Sequence, residues 1–150
     1  MDIGANIGTT GIYFLNNGIF SSDTGNESET VKIIPLDKYF SQNKLNPKDV
    51  KYIWIDTEGF EPQVLLGAQN LLTKNPAPIF MEFNPQFWSK SGYYEKFMRL
   101  LTKFYKGYVW IKELQRTGEV KVHSIGTLRE FQNSTAKNGT LGDIFLIHKL

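Results

Sequence analysis

The sequence predicts an α/β fold whose sheet is mostly parallel with an antiparallel end. Three observations predict it. Short runs rich in β-branched and aromatic residues alternate with stretches of helical periodicity, as in sheets whose strands are joined through helices. A glycine-rich turn, Met1-Asp-Ile-Gly-Ala-Asn-Ile-Gly8, opens the chain just after an acidic residue, and such a turn lets backbone approach a nucleotide-like ligand. A strand-like run, Lys51-Tyr-Ile-Trp-Ile55, ends in carboxylates and leads into a helix. Ligands of open α/β sheets bind outside the carboxyl ends of the strands, so both segments are expected to face one crevice.

The elements follow in order. Residues 3–15 mix Gly, Thr and apolar side chains, and either start a helix after the glycine turn or pair Gly11–Leu15 with Ile19-Phe20 across an Asn16-Asn-Gly18 turn. Ser21–Ser28 is polar and reads as loop. Val31–Leu36 reads as a strand, and Pro35 favours a sheet edge. Asp37 is expected to cap a short helix, Lys38–Gln42. Val50–Ile55 is a strand by its β-branched and aromatic content. Glu61-Pro62 starts a helix, since proline suits the first turn and an acid suits the positive end of the dipole. Val64, Leu65, Ala68, Leu71 and Leu72 continue that helix at its own spacing, and Pro76 and Pro78 end it.

Pro78–Phe83 is the next strand. Tyr93 to Tyr105 marks an amphipathic helix closed by Gly107. Tyr108–Ile111 is a strand, Gly118 turns into a strand at Val120–Val122, residues 126–142 are helix or loop, and Asp143–His148 is a final strand. The last two strands come without an obvious helix between them.

Composition narrows the function. The 150 residues suggest one domain, 1–150. Apolar residues make up 41% and charged residues 21%, as in ordinary soluble domains. A net charge of +2 with scattered Lys and Arg gives no nucleic-acid footprint. The absence of cysteine excludes disulfides and thiolate metal sites. No signal peptide or apolar run of about 18 residues is present, so a cytoplasmic chain without a membrane partner is expected. Asn26, Asn133 and Asn138 open glycosylation triplets, which read as chance matches without a secretory signal. His123 and His148 stand away from clustered acids and read as surface or packing residues rather than metal ligands.

Several segments then occur in a telling order: Asp2-Ile-Gly-Ala-Asn-Ile-Gly8, Leu36-Asp37, Asp56-Thr-Glu-Gly59, Gly67-Ala68 and Ile79-Phe-Met-Glu82. Together they resemble the FkbM family of S-adenosylmethionine-dependent methyltransferases. The resemblance is close over 31–85, short at 1–8 and loose beyond 90. It implies a Rossmann-like class I methyltransferase sheet and O-methylation of a hydroxyl on a sugar or small metabolite, with a small-molecule or glycan acceptor as partner. The family's two strand–helix units between the glycine turn and Leu36-Asp37 are missing, so the domain is expected to be partial, incomplete in its N-terminal half. The missing second strand would carry an acid for the ribose hydroxyls. Asp23, Glu27 and Glu29 fall at the usual distance of roughly 20 residues past the glycines.

The resemblance also assigns candidate residues. Asp2, Gly4, Ala5, Asn6 and Gly8 would bind the cofactor, Asp2 through its ammonium; the plain alternative is a tight turn without a ligand. Asp56 and Glu58, at a strand end, are the candidate catalytic pair, because a carboxylate there can take a proton from an alcohol acceptor or orient it. Alternatively, Glu58 and Glu61 cap the following helix. Glu82 and Asn84 would bind the acceptor, unless Asn84-Pro85 is only a turn. Phe87, Trp88, Tyr93 and Tyr94 either line a pocket or belong to the core. Two rival readings are a non-catalytic remnant of such a domain and a small α/β binding module.

Overall fold

The computed structural model describes residues 2–4, 18–24, 27–57, 59–84, 88, 92–131 and 142–149, with side chains from residue 34 onward. Eight strands form two sheets among these residues. The strands are β1 (Asp2–Gly4), β2 (Gly18–Thr24), β3 (Glu27–Ile33), β4 (Ile53–Asp56), β5 (Ile79–Phe83), β6 (Tyr105–Trp110), β7 (Val122–Ser124) and β8 (Gly142–His148). The helices are α1 (Leu36–Gln42), α2 (Glu61–Leu66), α3 (Gln69–Lys74), α4 (Tyr94–Phe104) and α5 (Ile111–Thr117).

The main sheet has the order β1-β4-β5-β8-β6-β7. β1, β4 and β5 pair in parallel, whereas β8 pairs antiparallel with both β5 and β6, and β7 antiparallel with β6. Four strands therefore run one way, but most neighbouring pairs are antiparallel, which corrects the expectation of a mostly parallel sheet. The cause is the insertion of β8 between two strands that share a direction. The fold is mixed α/β.

Alternation along the strands assigns the faces. Ile53 and Ile55 of β4, Ile79, Met81 and Phe83 of β5, and Ile144 and Leu146 of β8 are buried. They share one core with Val64 and Leu65 of α2, Leu71 and Leu72 of α3, and Phe97, Met98, Leu100 and Leu101 of α4. Burying each large apolar side chain contributes about 1.5–3 kcal/mol. The opposite face carries Trp54 stacked on Phe80 with ring centroids 4.2 Å apart.

The three central segments expected in one sheet are there, as β4, β5 and β6. The expected helix over 62–74 is two helices. Ala68 leaves helical geometry at φ −119° and starts α3, although all five apolar positions at helical spacing are buried. Asp37 does not cap its own helix. It lies in the first turn of α1 and accepts from the backbone N–H of Asn70 (2.8 Å) and Leu71 (2.9 Å), the open donors at the start of α3. Its own N–H donates to Gly67 O at 2.9 Å. The Leu36-Asp37 and Gly67-Ala68 segments thus meet as one helix-capping contact.

The expected strand at 31–36 ends at Ile33, before Pro35, and belongs to a separate β2–β3 hairpin. Ser21–Thr24 and Glu27-Ser28, read as loop, are strand, and Ile19 and Phe20 pair with Lys32 and Val31; Gly11–Leu15, the other pairing segment considered, lies outside the described residues. Residues 3 and 4 belong to β1, and the helix considered after the glycine turn falls outside the described residues.

Gly107 does not end α4. Helix passes directly into strand at Tyr105, and Gly107 sits inside β6, where a Cβ would lie 2.5 Å from the His123 carbonyl oxygen. The close approach of β7 excludes any side chain there. Ile111, expected as strand, begins α5, a helix that the sequence reading lacked, closed by Gly118 in the left-handed region at φ 73°. The strand expected at 120–122 is β7, two residues later. Of 126–142, residues 128–131 are helical and 132–141 lie outside the described residues. No described helix is long and apolar enough to cross a membrane.

Tyr105 is fully buried and its hydroxyl donates to Ala77 O at 3.0 Å; burial pushes its ionisation far above the usual tyrosine range. Tyr105→Phe is expected to lose about 1 kcal/mol, because Ala77 O is left without its partner. That is about 2–4 °C in melting temperature, measurable by calorimetry. An unchanged midpoint would show that the bond contributes nothing.

Candidate functional site

The carboxyl ends of β1, β4 and β5 are level with one another. Gly4 pairs with Asp56, and Ile55 pairs with Met81, which sets Asp56 beside Glu82. Glu82 in turn pairs with Asp143 of β8. Asp56, Glu82 and Asp143 therefore come from three neighbouring strands and share the face opposite the core. Asp56 is exposed, and Glu82 and Asp143 are half-buried.

Asp143 is a residue the sequence reading missed as a site candidate. β8 runs against its neighbours, so the start of this strand lies at the end of theirs. Its carboxyl is held above the usual carboxylate range, mainly by burial and next by the negative charge of Asp56, while Lys112 works the other way. The folded state then binds the Asp143 proton more tightly than the unfolded chain. The sign follows from linkage: stability falls as pH rises from the ordinary carboxylate range through the raised value. Asp143→Asn is expected to stabilise the protein at neutral pH, with the gain fading below the ordinary carboxylate range. Melting curves for both proteins between about pH 3 and 7, spanning the carboxylate range, check this. A gain independent of pH would refute the charge argument.

Asn84 follows β5 and is buried, 2% exposed, and its Oδ1 has no hydrogen-bond partner among the described residues. A buried amide oxygen without a partner is uncommon and marks a place where a further donor would fit.

The loop between β4 and α2 is organised by Glu61, which is wholly buried. Its Oε1 accepts from Thr57 N (3.0 Å), Thr57 Oγ1 (3.0 Å) and Gly59 N (3.2 Å). Its Oε2 accepts from Trp88 Nε1 at 2.9 Å. Trp88 packs edge-on against Phe83 and Phe97, each 5.0 Å away, so it is core rather than pocket lining. Gly59 adopts φ 101°, which favours glycine at this turn.

Other sequence candidates fall elsewhere. Asp2 and Gly4 form β1, with only their backbone described. Ala5, Asn6, Gly8, Glu58, Pro85 and Phe87 lie outside the described residues. Asp23, Glu27 and Glu29 lie on the β2–β3 hairpin, which shares no strand pairing with the main sheet. His123 stacks on Tyr108 with centroids 5.2 Å apart, and its Nε2 lies 2.5 Å from Glu113 Oε2. That contact, helped by Lys121, holds the Glu113 carboxyl below its usual range. Among the described residues no group of three or more His, Asp or Glu side chains is arranged to hold a metal ion.

The model of the methyltransferase FkbM domain matches residues 6–110. That span holds Asp56, Glu61, Glu82, Asn84 and the Asp37 cap. No curated protein and no solved structure matches the chain. With well over half of its length matched by the family model, and the strand ends arranged as described, the chain belongs to the FkbM methyltransferase family.

Proposed function

We propose that this domain is an S-adenosylmethionine-dependent O-methyltransferase acting on a hydroxyl of a sugar or other small metabolite. The observation that carries the reading is the level edge at which three parallel strands end, with Gly4 and Asp56 as last residues of β1 and β4 and Glu82 one residue before the end of β5. Ligands of α/β sheets bind at such edges. The strand order supports a Rossmann-like methyltransferase sheet, since the last strand enters antiparallel between two strands of common direction.

The described residues fit the cofactor at its methionine end. β1 stops at Gly4 beside Asp56, so backbone ends at the edge of the sheet where the cofactor's methionine part would lie, and Asp2, on the same strand, would hold its ammonium group. When bound, the cofactor supplies an electrophilic methyl group. Asp56 takes the acceptor's hydroxyl proton, and Glu82 and Asn84 bind the neighbouring hydroxyls. The protein contributes mainly by holding the two reactants in line. Asp2, Ala5, Asn6 and Gly8 are proposed for the cofactor, and Glu58 as the second acid of the catalytic pair. The acceptor is a small molecule or glycan, not a nucleic acid, in keeping with the low net charge.

One observation favours the remnant reading. Asp23, Glu27 and Glu29, the acids at ribose-binding distance in sequence, lie on a hairpin apart from the sheet. Each hydroxyl hydrogen bond without a partner weakens binding by about 0.5–1.5 kcal/mol, so cofactor binding is expected to be weak. Titration with S-adenosylhomocysteine, followed by its release from S-adenosylmethionine in the presence of methyl glycosides, tests the reading. Weak binding with release supports the enzyme. Neither heat nor release identifies a remnant.

A further inference from the structure

We propose that Glu61 is a positioning residue that holds the backbone following Asp56 in one conformation, so that Asp56 stays aimed at the acceptor. The proposal rests on the assignment of Asp56 as the acceptor's base.

The bonding pattern of Glu61 is what separates it from an ordinary cap. A residue capping α2 would accept from the N–H groups of the helix's own first turn. Glu61 is the first residue of α2 and accepts none of these. Both of its oxygens face out of the helix. One holds Thr57, through both backbone and hydroxyl, and Gly59; the other holds the indole of Trp88. Thr57 is joined to Asp56 by a peptide bond, so fixing the Thr57 N–H fixes the peptide plane that sets where the Asp56 backbone ends.

The far anchor is rigid. Trp88 is fully buried and wedged against Phe83 at the end of β5 and Phe97 on α4. Through Glu61 the loop after β4 is tied to the core beside the end of β5. Asp56 and Glu82, on adjacent strands, are thereby kept in register beyond the last ladder bond between them. A buried carboxylate is costly unless it is fully hydrogen-bonded. Helix capping alone would be met by Ser, Thr or Asn, with no buried charge. A charge with four donors from three residues is matched to a loop that must not move. Charge-assisted bonds of this kind are roughly twice as strong as neutral ones.

Two substitutions test this. Glu61→Gln keeps the shape but replaces one acceptor oxygen with a donor that cannot serve all four partners. Trp88→Phe keeps an aromatic ring in the core and removes the indole donor. Tyr105→Phe, remote from the strand ends, controls for simple loss of stability. S-adenosylhomocysteine affinity, turnover with methyl glycosides as the acceptor probe, and amide hydrogen exchange at Thr57 and Gly59 are measured for each.

In Glu61→Gln, turnover should fall by about 10²-fold, the scale of a reacting group misplaced by about 1 Å. Trp88→Phe should fall by a smaller factor. Cofactor affinity should stay within about twofold in both, well under the tenfold that 1.36 kcal/mol represents. The Thr57 and Gly59 amides should exchange faster in both, and Tyr105→Phe should change none of these. Turnover in Glu61→Gln matching that of Tyr105→Phe would overturn the proposal, as would unchanged exchange at Thr57 and Gly59. If the unsubstituted protein neither binds the cofactor nor transfers methyl, the functional reading fails instead. The exchange rates then still decide whether Glu61 holds the loop.

Discussion

Asp56→Asn is expected to lower methyl transfer by about 10²–10⁴-fold, the range a positioned proton acceptor contributes, while leaving the melting temperature nearly unchanged. The argument starts from exposure. Asp56 ends β4 on the face away from the core, and its side chain is open to solvent. Asparagine has the same shape, so strand pairing with β1 and β5 should survive. What is lost is the charge and the ability to take a proton. The substitution has a second signature at Asp143. Part of what raises the Asp143 carboxyl is the charge of Asp56, so in Asp56→Asn it should titrate lower, nearer the usual range. Carbon-13 titration of the Asp143 carboxyl reads this without any acceptor. Intact turnover with a lowered melting point would make Asp56 a structural residue.

Asp37→Ala should be the most destabilising of the single changes considered. Two backbone donors at the start of α3 end on its two oxygens, and alanine leaves both open. Hydrogen bonds to charged groups contribute about 1.5–3 kcal/mol each. One of this pair is solvent-exposed, so a loss of about 2–4 kcal/mol is expected. For a protein of this size that corresponds to about 4–16 °C. Asp37→Asn keeps one acceptor oxygen and should fall between. Thermal unfolding followed by circular dichroism distinguishes these outcomes, and an Asp37→Ala midpoint equal to that of the parent would show that the contact contributes nothing.

The local part of this fold was legible in the sequence. Runs such as Tyr52–Ile55 and Ile79–Phe83 announce strands, and Val64, Leu65, Ala68, Leu71 and Leu72 announce a buried helical face. What escaped was non-local. Local sequence makes Asp37 a cap for its own helix, because the donors it serves lie 33 and 34 residues away. α5 escaped because none of its residues is buried, so it shows no apolar stripe. The break at Ala68 escaped because the apolar spacing continues across it. At the site, Asp56 and Glu82 were legible as ends of apolar strands. Asp143 was not, because only the antiparallel entry of β8 sets the start of one strand against the end of another. Glu61 reads as a helix start, and its fourth bond comes from a tryptophan 27 residues on.

The position of β8 carries a consequence for how the chain folds as it is made. β8, the last of the described strands, lies in the interior of the sheet, between β5 and β6. Until residues 142–148 leave the ribosome, β5 and β6 each present an unpaired edge, with Ile79, Met81 and Phe83 along one of them. Open apolar edges of this kind are templates for pairing with other chains. β8 closes both at once, and its contacts with β5 span about sixty residues of sequence, a separation that slows folding. The nascent chain is therefore exposed to misassembly in the interval between synthesis of β6 and arrival of β8, and a chaperone that shields strand edges would act on it there.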